Sequence, residues 1–385
     1  MDPSVSEGLA PSISTGRQTS TIRVVLVGPS LRTWLGGQEV QLDSLARCWT
    51  GDASVQVRLV PNNPKLPMGL MWAERVPLLR TLIRLPVYLT SVWPAAKKAD
   101  IVHAFSASHS SFLLAPLPAC LVGGWLGKKT LVHYHSRLAQ QHLQDSAIAR
   151  WLLRRLDAIV VPSTYLAEIF AQFELKTTVL PNVVDLAQFP FRPRVPLRPL
   201  LLCTRNFDNY CGLGDVVHAF RRIKKTIPAA RLCLVGKGKE ERFIRRLITE
   251  LHLDDVEFAG AISRERIPDT YAKADIFINA SRGDNMPVSI LEAFASGLPV
   301  VTTAAGGIPH MVTHEVTGLL SEVGDCEGLA NNALRLLQDP LLAQFVAQNA
   351  HEAAKQRSWT AVRTRWLAVY VSLQGMELSS LETQA

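Results

Sequence analysis

Two carboxylates, Asp284 and Glu292, stand out as residues placed to do chemistry. Glu292 interrupts an apolar run, VSILEAFAS, and is followed one turn later by the small residues Ala295 and Ser296. Small neighbours let a ligand approach that face of a helix closely. A lone Glu on a helix usually marks a solvated face. Here it comes with more: Asp284 in the preceding loop, a Gly297 stop, and the pair Gly306-Gly307 beyond the next apolar run. Glycine loops and helix N-termini at the C-terminal ends of parallel strands are where phosphates bind. Arg205 directly follows the apolar run LLLCT, and a guanidinium there can clamp a diphosphate through bidentate hydrogen bonds. RLCLVGKG runs into Gly236-Lys237-Gly238, which serves either as a tight strand-to-helix turn or as a phosphate loop. KKTLVHYH ends in His133 and His135, which alternation sends to one face, opposite Tyr134. Two His at a strand end suggest a polar cleft.

The elements that position these residues alternate between strand and helix. Residues 276–278 form a strand, 281–285 a polar loop, and Pro287 suits the first helical position. The helix runs to Ser296, with Gly297 as its left-handed terminator, and residues 300–302 form the next strand. Near the start, residues 22–27 read as a buried strand, and a loop carries Gly36-Gly37 into a helix from Gln38. The dinucleotide fingerprint G-x-G-x-x-G is absent there. Further strands fall at 55–60, 100–103, 128–135, 157–161, 200–204, 231–235, 256–260 and 317–320. Pro77, Pro86 and Pro94 interrupt the apolar stretch 68–93, so it is no spanning helix. It is either a set of helices on the sheet with solvated arginines, or a basic, apolar surface resting on a membrane. Residues 112–127 carry no charge and read as a buried helix. A stiff Pro/Arg linker spans 191–199, and an amphipathic helix from Ser358 presents Val362, Trp366, Val369 and Tyr370 on about one face.

The pattern predicts an α/β protein of two doubly wound, Rossmann-like domains facing a cleft. Residues 1–20 are a disordered lead-in, 21–192 the first domain and 193–357 the second. Composition agrees: 48% hydrophobic and 19% charged residues are ordinary for large soluble cores. Six cysteines show no C-x-x-C pairing and read as buried thiols of a cytoplasmic protein. No metal-ligand spacing and no Asp-x-Asp occur, so no metal is expected. The net charge of +8 is uneven: residues 1–192 hold 19 Lys and Arg against 12 Asp and Glu, and the remainder 22 against 21. With no aromatic-basic motif of an RNA binder, the basic half points to an anionic membrane surface or acceptor rather than nucleic acid.

Asp284, seven residues, Glu292 and then AFASGLPVV resemble the donor signature of the retaining GT-B glycosyltransferases of family 4, whose first acid is usually Glu. The resemblance covers residues 22–372 and is strongest over 275–320. It implies the GT-B fold, with residues 358–372 crossing back to the first domain, and a nucleotide-diphosphate sugar as co-substrate without a cofactor. Glu292 would bind the ribose hydroxyls, and Asp284 would lie near the donor sugar. Gly36 and Gly37 would let the backbone approach the diphosphate and acceptor. His135, with His133 second, would contact the sugar and the acceptor region, and Arg137 would read an anionic acceptor. Arg205, Gly236 and the Gly306-Gly307 backbone would meet the diphosphate. The family usually places Lys five residues after that Arg; here the place is Tyr210, and Arg282, Lys237 and Lys239 are candidate substitutes. The acceptor would be a glycan or a lipid-linked sugar in envelope or exopolysaccharide synthesis, with the protein cytoplasmic or peripheral on the inner face of the membrane. A sugar-nucleotide epimerase of the same fold and a catalytically weakened scaffold are the alternatives.

Overall fold

The computed structural model describes residues 21–29, 36–66, 68–75, 77–106 and 108–376. The expected lead-in over 1–20 and tail over 377–385 lie outside them. The chain forms two six-stranded sheets, parallel throughout. The first contains β1 (Ile22–Gly28), β2 (Val55–Pro61), β3 (Ile101–Ser106), β4 (Lys129–Tyr134), β5 (Ala158–Val161) and β6 (Thr178–Val179), in the order β2-β1-β3-β4-β5-β6. The second contains β7 (Leu200–Thr204), β8 (Arg231–Val235), β9 (Val256–Gly260), β10 (Ile276–Asn279), β11 (Val300–Thr303) and β12 (Leu319–Ser321), in the order β12-β11-β10-β7-β8-β9. Strands buried on both faces read as continuous apolar runs, and every residue of β3, β10 and β11 is buried. The strand order reverses between β1 and β3 in one sheet and between β7 and β10 in the other. Ligands of doubly wound sheets bind outside the strand ends at such reversals. The fold is therefore the expected pair of α/β sheets.

Local signals placed the caps. Ser163, Asp325, Asp339 and Ser358 each accept a backbone N–H at a helix start. The helix Val288–Ala295 ends at Gly297, φ 73°, with Leu298 N–H donating to Ala293 O and Gly297 N–H to Phe294 O. Pro287 stands one place earlier than expected, as its cap.

Two expectations need correction. Pro86 and Pro94 do not break the chain: one helix, Pro77–Lys98, runs through both. Both prolines face solvent, while Tyr88, Val92, Ala95 and Ala96 bury the opposite side against the sheet. That burial outweighs the lost backbone hydrogen bonds. The stretch 112–127 is not one buried helix but two short ones, Ser110–Leu114 and Pro116–Trp125. Phe112, Ala119 and Cys120 pack inward, whereas Leu113, Leu114, Leu121 and Trp125 are exposed. Among the described residues, no helix is long and apolar enough to cross a membrane. All six cysteines are unbonded.

The last helix, Trp359–Leu373, inserts Val362, Trp366 and Tyr370 into the core under β1, β3 and β4, beside Trp49 and Leu131. The linker is held to the second sheet by the buried carboxylate of Asp275, which takes hydrogen bonds from Arg192 at 2.6 Å and Arg198 at 2.8 Å.

Candidate active site

A cavity of about 410 Å³ lies between the sheets, lined from both sides. That is enough for a nucleotide-sized ligand. From the first half come Gly37, His135 and Arg137; from the second come Arg205, Gly236, Lys237, Asp284 and Glu292. Each stands just beyond a strand end or on the helix that follows one.

Arg205 leaves β7 at the strand-order reversal, and its Nη2 donates to Asp284 Oδ2 at 2.5 Å. Burial opposes a charge on Arg205, but the Asp284 carboxylate outweighs it and holds the guanidinium above its ordinary pKa. Gly236 is required beside it: φ is 135°, and a Cβ there would overlap the Arg205 carbonyl. Glu292 is buried and raised to about 7 by burial, against the pull of a Tyr271 hydrogen bond and of Arg264. The Tyr271 hydroxyl donates to Glu292 Oε2 at 2.8 Å and meets Thr204 Oγ1 at 2.6 Å. Arg264 Nη1 lies 3.8 Å from Glu292 Oε1, and its Nη2 donates to Ser44 Oγ at 2.9 Å in the first half. His135 is lowered to about 3 by burial, so it is a neutral imidazole at pH 7. Asn285 Nδ2 donates to the His135 carbonyl across the cleft at 2.8 Å.

Other predicted residues lie elsewhere. His133 does not line the cavity; it is buried behind His135 with ring centroids 4.1 Å apart, packed edge-on against Trp366. Strand alternation gave it the right face but could not give its depth. Gly36 lies just outside the lining, beside Glu39. Gly306 and Gly307 also stand outside the lining. The Gly307 N–H donates to Asp284 O at 2.7 Å, and a Cβ on either glycine would overlap the Asp284 or Asn285 carbonyl. The pair therefore holds the acid loop in place rather than facing the cavity. Of the proposed substitute cations, Lys237 lines the cavity, whereas Arg282 pairs with Asp215 at 3.1 Å outside it and Lys239 is not in the lining. Sequence reasoning missed Tyr271, Arg264, Asn285 and Ser289. The contacts of Tyr271 and Arg264 bridge distant segments and nothing local marks them, whereas Asn285 and Ser289 lie inside the stretch 284–292 without a feature that sets them apart.

Several buried polar atoms of lining residues have no partner among the described residues: His135 Nε2, Arg205 Nε, Asn182 Oδ1, Asn285 Oδ1 and Ser289 Oγ. Buried polar groups are nearly always paired, so this cluster is chemically suited to a polar ligand.

Comparison with known proteins matches residues 35–188 to the family described as Glycosyltransferase Family 4 and residues 189–356 to Glycosyl transferases group 1. The chain is 35% identical over 159 residues to N-acetyl-alpha-D-glucosaminyl L-malate synthase of Bacillus anthracis, covering 41% of each protein. It is 29% identical over 242 residues to a Mycobacterium tuberculosis glycogen synthase, covering 60% of this chain and 57% of that protein. It thus spans about half the length of these curated relatives. Among solved structures, Anabaena HepE in complex with UDP-glucose superposes with a TM-score of 0.72 at 21% identity, over 91% of this chain and 99% of that one.

Proposed function

This chain belongs to the group 1 glycosyltransferases, and from that premise we propose that it moves a sugar from a nucleotide-diphosphate sugar to a glycan or lipid-linked acceptor, with retention at the anomeric carbon. The observation that carries this reading is the row of unpartnered polar atoms along one cavity that also presents Arg205 and Glu292. The carboxylate of Glu292 accepts hydrogen bonds from the ribose hydroxyls. Arg205, with the Gly236-Lys237 loop beside it, meets the diphosphate as charge develops on it, the term that usually dominates such catalysis. His135, neutral and with Nε2 unpartnered among the described residues, and Asp284 orient the donor sugar. Cationic side chains rather than a metal ion serve the leaving group.

Retention is supported by how the carboxylates are held. Inversion needs a general base on the face opposite the leaving group. The two carboxylates of the cavity are engaged, Asp284 by Arg205 and Glu292 by Tyr271. The acceptor then attacks from the side on which the diphosphate departs, and the proton passes to that diphosphate. The names of the relatives favour polysaccharide or glycoconjugate synthesis, and HepE, which has been crystallised with UDP-glucose, makes UDP-sugars the first donors to try.

An exposed apolar surface supports a peripheral place on a membrane. Met68, Met71, Trp72, Trp93 and Trp125 are exposed on elements that pack together, with Trp93 and Trp125 ring centroids 4.7 Å apart. Lys97 and Lys98 are exposed at the end of the helix carrying Trp93. Aromatic and cationic side chains together suit an anionic bilayer surface.

The test is nuclear magnetic resonance of the full chain with UDP-α-glucose and related α-linked donors. Initial release or transfer of the α-anomer supports the reading. Initial release of the β-anomer overturns retention. Epimerised donor, or no turnover of any donor, favours the epimerase or the scaffold instead.

A further inference from the structure

The cavity draws cations from both halves of the molecule, and their partners differ. Arg205 is matched by Asp284 at 2.5 Å, and Arg264 lies 3.8 Å from Glu292. Arg137 follows β4 in the first half, in the segment His135-Ser136-Arg137. Its guanidinium crosses the cleft and lies over the Tyr210 ring, 4.1 Å from the centroid. Tyr210 belongs to the short turn Asn209–Cys211 of the second half, where Cys211 Sγ is 3.8 Å from Arg205 Nη2. Both Arg137 and Tyr210 line the cavity, and the Arg137 side chain is exposed toward it.

Stacking engages the face of a guanidinium and leaves its N–H donors free around the edge. Those donors form the planar fork that suits phosphate oxygens. Tyr210 is raised to about 12, burial being the largest cause, so the ring stays a neutral platform at pH 7 and does not form an ion pair with the arginine.

We infer that Arg137, held over Tyr210, is a further cation of the diphosphate site, donated by the first half of the molecule to a leaving group bound mainly by the second. This rests on the donor-site reading above. A departing nucleoside diphosphate gains charge, and of the cations the second half brings to it Arg205 is already paired with Asp284. When the bond between the anomeric carbon and the β-phosphate oxygen breaks, its electron pair stays with that oxygen, and the Arg137 edge stabilises the charge. Because Arg137 and Tyr210 come from opposite sides of the cleft, the cation is in position only when the cleft is closed. Donor cleavage is thereby tied to closure, which keeps water from the activated sugar.

Calorimetric binding of UDP and UMP, with GDP/GMP and ADP/AMP pairs in parallel, tests this on the full chain. Arg137→Ala should weaken the diphosphate by roughly tenfold or more, as expected for one charge-assisted hydrogen bond, and the monophosphate by less than about twofold. Tyr210→Lys placed on Arg137→Ala should restore most of the diphosphate preference, because it returns a cation to the same place. An unchanged diphosphate-to-monophosphate ratio in Arg137→Ala overturns the inference. Glu292→Ala separates the two claims: it should weaken diphosphate and monophosphate alike through the ribose. If wild type discriminates nucleotides through Glu292 but Arg137→Ala is neutral, the Arg137 assignment alone fails. If wild type binds no nucleotide, the donor-site reading fails and takes the Arg137 assignment with it.

Discussion

Replacing Glu292 by Gln should change how stability depends on pH. Burial holds this carboxyl at about 7, against an ordinary value of 4.5. A raised folded-state pKa gives stability that is fully present below the unfolded value and is lost as pH climbs through the folded one. Each pH unit of separation is worth about 1.4 kcal/mol, so wild type should lose about 3 kcal/mol between about pH 4.5 and about pH 8 through this group alone. Glu292→Gln keeps the shape and a hydrogen bond to Tyr271 but cannot titrate. Urea unfolding of both proteins across that range, followed by tryptophan fluorescence, isolates the effect as the difference between them. Wild type should fall relative to the variant by about 3 kcal/mol, mostly between about pH 5 and about pH 7. A difference that stays flat with pH would refute the claim that burial of this carboxyl outweighs its Tyr271 and Arg264 partners. Ribose hydroxyls that donate to Glu292 favour its charged form, so UDP affinity should rise with pH through about 7 in wild type and stay level in Glu292→Gln.

Tyr271→Phe removes the hydrogen bond to Glu292 Oε2 and should weaken UDP binding by about 1–2 kcal/mol, read by calorimetry, with little change in the fold. Asp275→Asn removes the buried charge shared by Arg192, Arg194 and Arg198, and because Arg192 and Arg198 are partly solvated it should cost about 1–3 kcal/mol of stability in chemical denaturation. Trp366→Ala opens a hole behind His133 at a side chain that is 1% exposed, and should cost about 3–5 kcal/mol while slowing turnover through a displaced His135. Trp72→Ser with Trp125→Ser should reduce sedimentation with anionic vesicles and leave turnover of a soluble acceptor unchanged; equal sedimentation of variant and wild type would remove the membrane role of that surface.

What the sequence made legible was local. Apolar runs and the Gly297 stop marked elements whose ends are decided by their own residues. Glu292 was visible because a carboxylate in VSILEAFAS breaks the pattern of its own helix. What stayed hidden depends on segments far apart in the chain. The continuity of Pro77–Lys98 through two prolines comes from packing against the sheet. The depth of His133 is set by Trp366 from the last helix. Spacing placed Gly306-Gly307 at a strand end but could not say whether their backbone faced a ligand or their own acid loop. The reach of Arg137 to Tyr210, and of Arg264 to both Glu292 and Ser44, appears only when the two sheets face each other.

The central claim is that Arg205 and Glu292 line a nucleotide-diphosphate site. Calorimetric titration of wild type and Glu292→Ala with UDP, GDP and ADP tests it most directly. Wild type should bind one nucleotide saturably, and Glu292→Ala should weaken that binding by about 1.5–3 kcal/mol, the worth of a hydrogen bond to a charged group. Binding of equal strength in both proteins, or none to any of the three nucleotides by a folded wild type, would contradict it.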